Sequence, residues 1–302
     1  MKIAVVGAGA LGLYYGALLQ KSGNKLHFLL RRDYDAITRR GLQVCSVDGD
    51  FHLKPVKGYR STTAIGPVEL VLIGLKTFSN KKMVDLVRPL VGPETMLVTL
   101  QNGLGNEELL TGAFPAEQVM GGVAFLCANR GEPGTVHHLG QGAIRIGLAG
   151  GGRSQAAEKV AQTFSAAGIS CEYVGDLLKT RWEKLVWNIP FNGLCALTGK
   201  NVAELLAHAP SRQLINDLMQ EVVTAANAQP LTSPIDGPPF IEKMIGATGT
   251  MGGYRPSMMI DRLEGRPLEL DSIYEKPLER AAATGIETPH IRMLYSLLDL
   301  GE

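Results

Sequence analysis

Residues 1–30 read MKIAVVGAGALGLYYGALLQKSGNKLHFLL, and the fold is decided there. A buried apolar run, Ile3 to Val6, stops at Gly7-Ala8-Gly9-Ala10-Leu11-Gly12. A helical pattern follows to about Gln20, and a second apolar run, Leu26 to Leu30, comes after Gly23. The order is strand, glycine turn, helix, strand. The three glycines serve different ends, in that Gly7 makes the tight turn, Gly9 lets the backbone approach a pyrophosphate, and Gly12 lets the helix pack close on the strand. The phosphates of a dinucleotide then rest on free N–H groups at the helix N-terminus, where the macrodipole favours negative charge.

At 302 residues and 45% hydrophobic content, the chain is long enough for two domains and a sizeable core. The net charge is +1 with both signs interspersed, which argues against a nucleic-acid or membrane-surface partner. The four cysteines, Cys45, Cys127, Cys171 and Cys195, have neither zinc-site spacing nor disulfide-scaffold density, so they are expected to be small buried hydrophobes in a reducing compartment. No metal site is expected. The first strand leaves no room for a signal peptide and no run is long enough to span a membrane, so a cytoplasmic protein is expected.

Beyond Leu30 the chain keeps alternating. A short helix from about Asp35 to Arg40 precedes two β-like runs, Leu42 to Val47 and Phe51 to Val56, with a hairpin signal at Asp48-Gly49. Val68 to Leu75 is a near-continuous apolar run, expected of a strand covered on both faces. A helix over 80–90 leads to a strand over 96–100, and Gln101-Asn102-Gly103-Leu104-Gly105 then lies at the carboxyl end of that strand, on the ligand edge of an open parallel sheet. Further strands are expected at 119–127, 135–139, 143–148 and 170–174, with a helix over 154–167. From Asp176 the period is helical: 177–207, 211–228, 268–284 and 288–298. Pro230, Pro234, Pro238 and Pro239 mark one loop and Gly246 to Gly253 another. The fold class is therefore α/β, with a dinucleotide-binding domain over 1–175, a helical domain over 176–302, and a ligand in the cleft between them.

The end of the second strand carries Arg31 and Arg32, where a fold that prefers NAD offers Asp or Glu to the ribose hydroxyls. A guanidinium pairs with the extra phosphate of NADP, so NADP is the expected cofactor, although Asp33 follows directly. Lys76, past the run VLIGL, is a second cation on the same edge; a solvated lysine at a strand end is the alternative. In the helical half, Lys184, Asn188 and Asn192 are spaced by four within RWEKLVWNIPFNGL and share one helix face. One ammonium and two carboxamides in line suit a small oxygen-rich substrate, and a lysine can give a proton to a carbonyl oxygen that hydride transfer turns into an alkoxide. An exposed polar stripe on an amphipathic helix has the same spacing.

These landmarks resemble the ketopantoate reductases (2-dehydropantoate 2-reductases): GAGALG at Gly7 to Gly12, Lys76 in GLK, Asn102 in QNGLG, WEKLVWNIPFNGL around Lys184, Pro256-Ser257-Met258-Met259 with Asp261, and Arg266-Pro267-Leu268-Glu269-Leu270-Asp271. The likeness spans nearly the whole chain. It implies an N-terminal Rossmann domain, an all-helical second domain similar to that of 6-phosphogluconate dehydrogenase, and NADPH-dependent reduction of 2-dehydropantoate to (R)-pantoate on the way to pantothenate and coenzyme A. By the same resemblance, Lys184 is the proton donor, and Asn188, Asn192 and Ser257 hold substrate. Asn102 sits between cofactor and substrate, Glu269 lies near both, and Ala128 lines the nicotinamide side. Gly7, Ala8, Gly9, Ala10, Leu11, Gly12, Arg31 and Lys76 complete the cofactor set. A homodimer is allowed.

Three departures from the family pattern bear on the substrate. Asn192-Gly193 stands in place of Asn-Pro, with Pro190 instead predicting a kink between Asn188 and Asn192. The segment after Glu269 differs, and the strand after Gly122 is apolar. Another branched 2-oxo acid is therefore the alternative substrate. A β-hydroxyacid dehydrogenase, whose catalytic Lys and Asn are similarly spaced, and a non-catalytic NADP-binding sensor are the other readings. A sensor has no use for Lys184, Asn188, Ser257 and Glu269 together. Of the six histidines, His137 and His138 are expected on a hairpin and the others lack an evident carboxylate partner, which disfavours a histidine–arginine mechanism.

Overall fold

The computed structural model describes all 302 residues, Met1 to Glu302. It comprises two compact units, one of Met1–Gln101 with Asn106–Leu177, the other of Asn102–Gly105 with Leu178–Glu302. The expected divide at 175/176 thus falls two residues later, and the short segment after Gln101 is counted with the helical unit.

The first unit contains, in order, β1 (Lys2–Val6), α1 (Ala10–Lys21), β2 (Lys25–Leu29), α2 (Tyr34–Arg40), β3 (Leu42–Ser46), β4 (Phe51–Leu53), β5 (Lys57–Tyr59), β6 (Leu70–Ile73), α3 (Met83–Val87), β7 (Met96–Thr99), α4 (Asn106–Thr111), β8 (Val119–Arg130), β9 (Thr135–Leu148), α5 (Gln155–Ala166) and β10 (Cys171–Tyr173). Strands β5-β2-β1-β6-β7-β8 lie side by side, every neighbouring pair parallel, which is the doubly wound order whose direction reverses beside the first strand. The core strands β6 and β7 are buried along their whole length, as a sheet covered on both faces requires.

Past β8 the sheet continues through antiparallel β9 to β3 and the β3–β4 hairpin, with β10 also on β9. This extension curls around α1: the Tyr14 ring stacks on His138 at 4.4 Å, and the Tyr15 hydroxyl donates to the Gly142 carbonyl at 3.3 Å. The two strands expected at 135–139 and 143–148 are one strand, β9, bent where Gly140, Gln141 and Gly142 all take positive φ. The helix expected over 80–90 is split instead. Tight 3₁₀ turns at Thr77–Lys82 and Arg88–Leu90 flank the five-residue α3, because Pro89 brings no N–H to extend it.

The second unit is helical: α6 (Leu177–Thr198), α7 (Val202–Ala207), α8 (Ala209–Asn227), α9 (Gly237–Gly249), α10 (Ser257–Leu263), α11 (Lys276–Ala283) and α12 (Pro289–Asp299). Trp182, Leu185, Val186 and Ile189 of α6 and Met219, Val222 and Val223 of α8 recur at helical spacing and form one core with Leu294 and Leu298 of α12.

Two loop expectations hold only in part, at Pro230 and Pro234 and at residues 250–253. Pro238 and Pro239 open α9, where missing N–H groups cost nothing. The same helix runs through Gly246 to Gly249, since burial of Ile241 and Thr248 outweighs glycine's poor propensity. Thr248 also accepts the Trp187 indole N–H at 3.0 Å and donates to the Met244 carbonyl at 2.7 Å. The expected kink does not interrupt α6 either; the helix continues through Pro190. The buried Tyr274 hydroxyl donates to the Ile189 carbonyl at 2.8 Å, and Gly193 makes room for it, because a Cβ there would stand 2.3 Å from that hydroxyl.

The stretch expected to be a plain helix over 268–284 begins with a π-helical turn, Asp271–Glu275, before α11. Its wide register would pair the Ser272 carbonyl with residue 277, a proline without an N–H. That carbonyl instead accepts the Leu104 N–H at 2.9 Å. No helix of the protein is long and apolar enough to cross a membrane, and no group of three or more His, Cys, Asp or Glu is placed to hold a metal ion.

Candidate active site

In the first unit, the glycine turn between β1 and α1 has three distinct environments. Gly7 has φ +100°, and a Cβ on it would stand 2.4 Å from the Gly74 carbonyl carbon at the end of β6. Gly12 would put a Cβ 2.2 Å from the Gly7 carbonyl oxygen. Gly9, the residue before α1, has nothing within 4 Å of its Cβ position. The first and third glycines are therefore filled by the protein's own backbone and the second faces open space, a cradle that fits a dinucleotide's pyrophosphate. Ala8, Ala10 and Leu11 complete the turn, and no acidic side chain occupies the first turn of α1, so nothing there opposes an anion.

Arg31 stands exposed just past β2. Arg32 is otherwise engaged, donating to the Gly131 carbonyl at 2.7 Å. Lys76 is half-buried in extended backbone two residues beyond Gly74. Ala128 lies on β8 opposite His138, directly after a register irregularity between Cys127 and Ala128.

In the second unit, α6 carries Lys184, Asn188 and Asn192 on one face. Lys184 is half-buried, whereas both asparagines are 2% exposed. The Asn192 carboxamide oxygen accepts the Met258 N–H at 3.3 Å, so it fixes the start of α10 and with it Ser257, the exposed first residue of that helix. The Asn188 Nδ2 is buried without a hydrogen-bond partner. A buried amide donor left unpaired in the protein is costly, and it is the group that a carbonyl or carboxylate oxygen of a ligand would satisfy. Glu269 is buried just ahead of the π-helical turn, and its backbone carbonyl accepts the Ile273 N–H at 3.3 Å. Asn102 is half-buried beside Gly103, whose φ of +79° and tight packing on Ser272 tie this segment to the same turn. The loop that runs from α10 to Glu269 is pinned by Asp261 of α10, which accepts from Arg266 Nε at 2.8 Å.

Models of two families, ketopantoate reductase PanE/ApbA and ketopantoate reductase PanE/ApbA C terminal, match residues 3–151 and 176–302. The chain belongs to the ketopantoate reductase family. Within it, a 2-dehydropantoate 2-reductase of Nostoc sp. is 40% identical over 98% of this chain and 94% of that protein. The crystal structure of 2-dehydropantoate 2-reductase from Geobacter metallireducens is 54% identical, with a TM-score of 0.98 and full coverage of both chains. A D-mandelate dehydrogenase solved with NADH and anilino(oxo)acetate is also similar, with 25% identity, a TM-score of 0.91, and coverage of 99% of this chain and 97% of that one.

Two features of this ketopantoate reductase family member escape a reading of its sequence. A relay of side chains braces the first unit at the end of β7. Thr99 donates to Gln101 at 2.9 Å, Gln101 to Asn80 at 2.7 Å, and Asn80 to Asn106 at 2.9 Å. Arg130 at the far end of β8 pairs with Asp33. In both, residues distant in sequence meet with no motif to announce them.

Proposed function

We propose that the protein reduces 2-dehydropantoate (ketopantoate) to (R)-pantoate with NADPH, in the cytoplasm, as a step of pantothenate and coenzyme A biosynthesis. The observation that carries the reading is the α6 face: an ammonium at Lys184 one turn from the unpaired buried amide of Asn188, in a chain of the ketopantoate reductase family. The backbone N–H groups of Gly7 to Gly12 hold the pyrophosphate, Arg31 and Lys76 meet the remaining phosphate charge, and Ala128 lines the nicotinamide side. The cofactor supplies the hydride when bound. Asn188 donates to the substrate's oxygen atoms, Asn102 and Ser257 orient its other polar groups, and Asn192 keeps Ser257 in place through Met258. Lys184 stabilises the negative charge that grows on the carbonyl oxygen and passes a proton from Nζ to it. Glu269, a buried acid, orients the lysine.

The similar D-mandelate dehydrogenase and the departures around Gly193 and after Glu269 favour a second substrate class, other 2-oxo acids. The deciding experiment follows loss of NADPH absorbance against a panel containing ketopantoate, shorter branched 2-oxo acids and an aryl 2-oxo acid. The reading expects ketopantoate to have the highest kcat/KM. Higher turnover of the aryl or a shorter acid would transfer the assignment to that substrate, and no turnover of any would overturn the reading.

A further inference from the structure

Asp33 lies just past β2, about twenty residues beyond the glycine turn, where a dinucleotide fold that prefers the unphosphorylated cofactor presents a carboxylate to the ribose hydroxyls. In this chain that carboxylate is put away. Its side chain is only 3% exposed. Its Oδ2 accepts from Arg130 Nη2, and its Oδ1 is buried without a hydrogen bond, with Arg32 Nε at 3.5 Å.

Arg130 comes from 97 residues away, and the hairpin turn that follows it is fastened at the same place. Arg32 donates to the Gly131 carbonyl at 2.7 Å and Arg40 to the Pro133 carbonyl at 3.0 Å. The Gln43 N–H donates to the Gly134 carbonyl at 2.9 Å. Three attachments around the turn hold the Arg130 guanidinium against Asp33, while Arg31 next door stays exposed.

We infer that Arg130 is a specificity-determining residue for the cofactor: by pairing with and sequestering Asp33, it removes the carboxylate that would repel a ribose 2′-phosphate and leaves Arg31 as the charge that phosphate meets. The inference rests on the NADPH reading above. Stripped of Arg130, the buried carboxylate keeps only Arg32 at 3.5 Å, with no hydrogen bond to it, and is an under-compensated charge. It would either turn outward toward the ribose or act in place on the neighbouring phosphate, and either way phosphate binding suffers while the ribose hydroxyls gain an acceptor.

The test is direct titration of NADPH and NADH into wild type, Arg130→Ala, Asp33→Asn and the Asp33→Asn/Arg130→Ala double variant, together with melting of each cofactor-free protein. Arg130→Ala should raise the Kd for NADPH by about tenfold or more, the scale of a like charge a few ångströms away, and change that for NADH by less than about threefold. Its melting temperature should fall. In the double variant both NADPH affinity and melting temperature should recover, and Asp33→Asn alone should keep the wild-type preference. Equal weakening of both cofactors by Arg130→Ala would overturn the inference, and so would failure of the double variant to recover NADPH binding, since Arg130 would then hold the phosphate itself. If Arg130→Ala does not fold, loss of preference in Asp33→Asn overturns it and retention supports it. A wild type that binds NADH as tightly as NADPH would instead overturn the cofactor reading itself.

Discussion

Lys184 and Asn188 differ in what the protein asks of them. The lysine is half-buried and is the proposed proton donor, whereas the asparagine is 2% exposed with its Nδ2 unpaired. Lys184→Ala should therefore lower kcat by about two to four decades, the usual worth of a general acid, with NADPH affinity little changed in a binding titration. Lys184→Arg should rescue poorly, because a guanidinium keeps its proton at neutral pH. Asn188→Leu, nearly the same shape, should raise stability by about 1 kcal/mol in urea unfolding by removing an unpaired buried donor, while KM for the 2-oxo acid rises roughly tenfold. A variant less stable than wild type would show that the amide is satisfied within the protein. The spacing of four that puts these residues on one face was legible in the sequence. That the Asn188 Nδ2 is unpaired while Asn192 holds the start of α10 was not, since the difference depends on Met258, 66 residues away.

The glycine turn supplies a test at the scale of an element, because its glycines are small for different reasons. Gly12→Ala would drive a Cβ to 2.2 Å from the Gly7 carbonyl, prising α1 from β1, and should cost about 1–3 kcal/mol of stability as an overpacked contact. Gly9→Ala meets open space, so its melting temperature should match wild type while NADPH binding weakens by an order of magnitude or more, a methyl now standing where the pyrophosphate approaches. Equal melting losses for the two would undo the distinction. This turn was readable because local chain order imposes it. Elements ruled by distant partners were not: α9 holds its glycines in a helix through the burial of Ile241 and Thr248, and the π-helical turn owes its open carbonyl to Pro277 and its use to Leu104. The β8–β9 turn is likewise set against α2 by arginines that no local pattern singles out.

Over the whole molecule, stability should depend on pH through buried groups in both units. In the first, burial, with Lys2 and Lys57 adding to it, lowers the His27 imidazole below its ordinary 6.5. The unfolded chain then binds the proton more readily than the folded one, and stability falls as pH drops below about 6.5. In the second, Cys195 is fully buried, and burial, followed by the charge of Glu204, pushes its thiol from 9.0 up to about 12. Tyr274, raised by burial and then by Cys195, acts in the same direction at higher pH. Here the folded state keeps a proton that the unfolded chain gives up, so stability is fully present below about 9 and is lost as pH rises toward about 12, by at most about 1.4 kcal/mol per pH unit for one thiol. In the first unit, half-buried Cys171, whose thiol burial and then the charge of Glu172 push up to about 12, adds the loss of a second thiol. Urea unfolding should accordingly show a plateau between about pH 6.5 and 9 with a fall on either side. Cys195→Ala should be less stable on the plateau, where it leaves a small cavity, yet lose less than wild type between about pH 9 and 10.5. An alkaline limb as steep in Cys195→Ala as in wild type would assign the loss to other groups. Thiol labelling at about pH 8 gives an independent check, since Cys195 should react far more slowly in the folded protein than after unfolding.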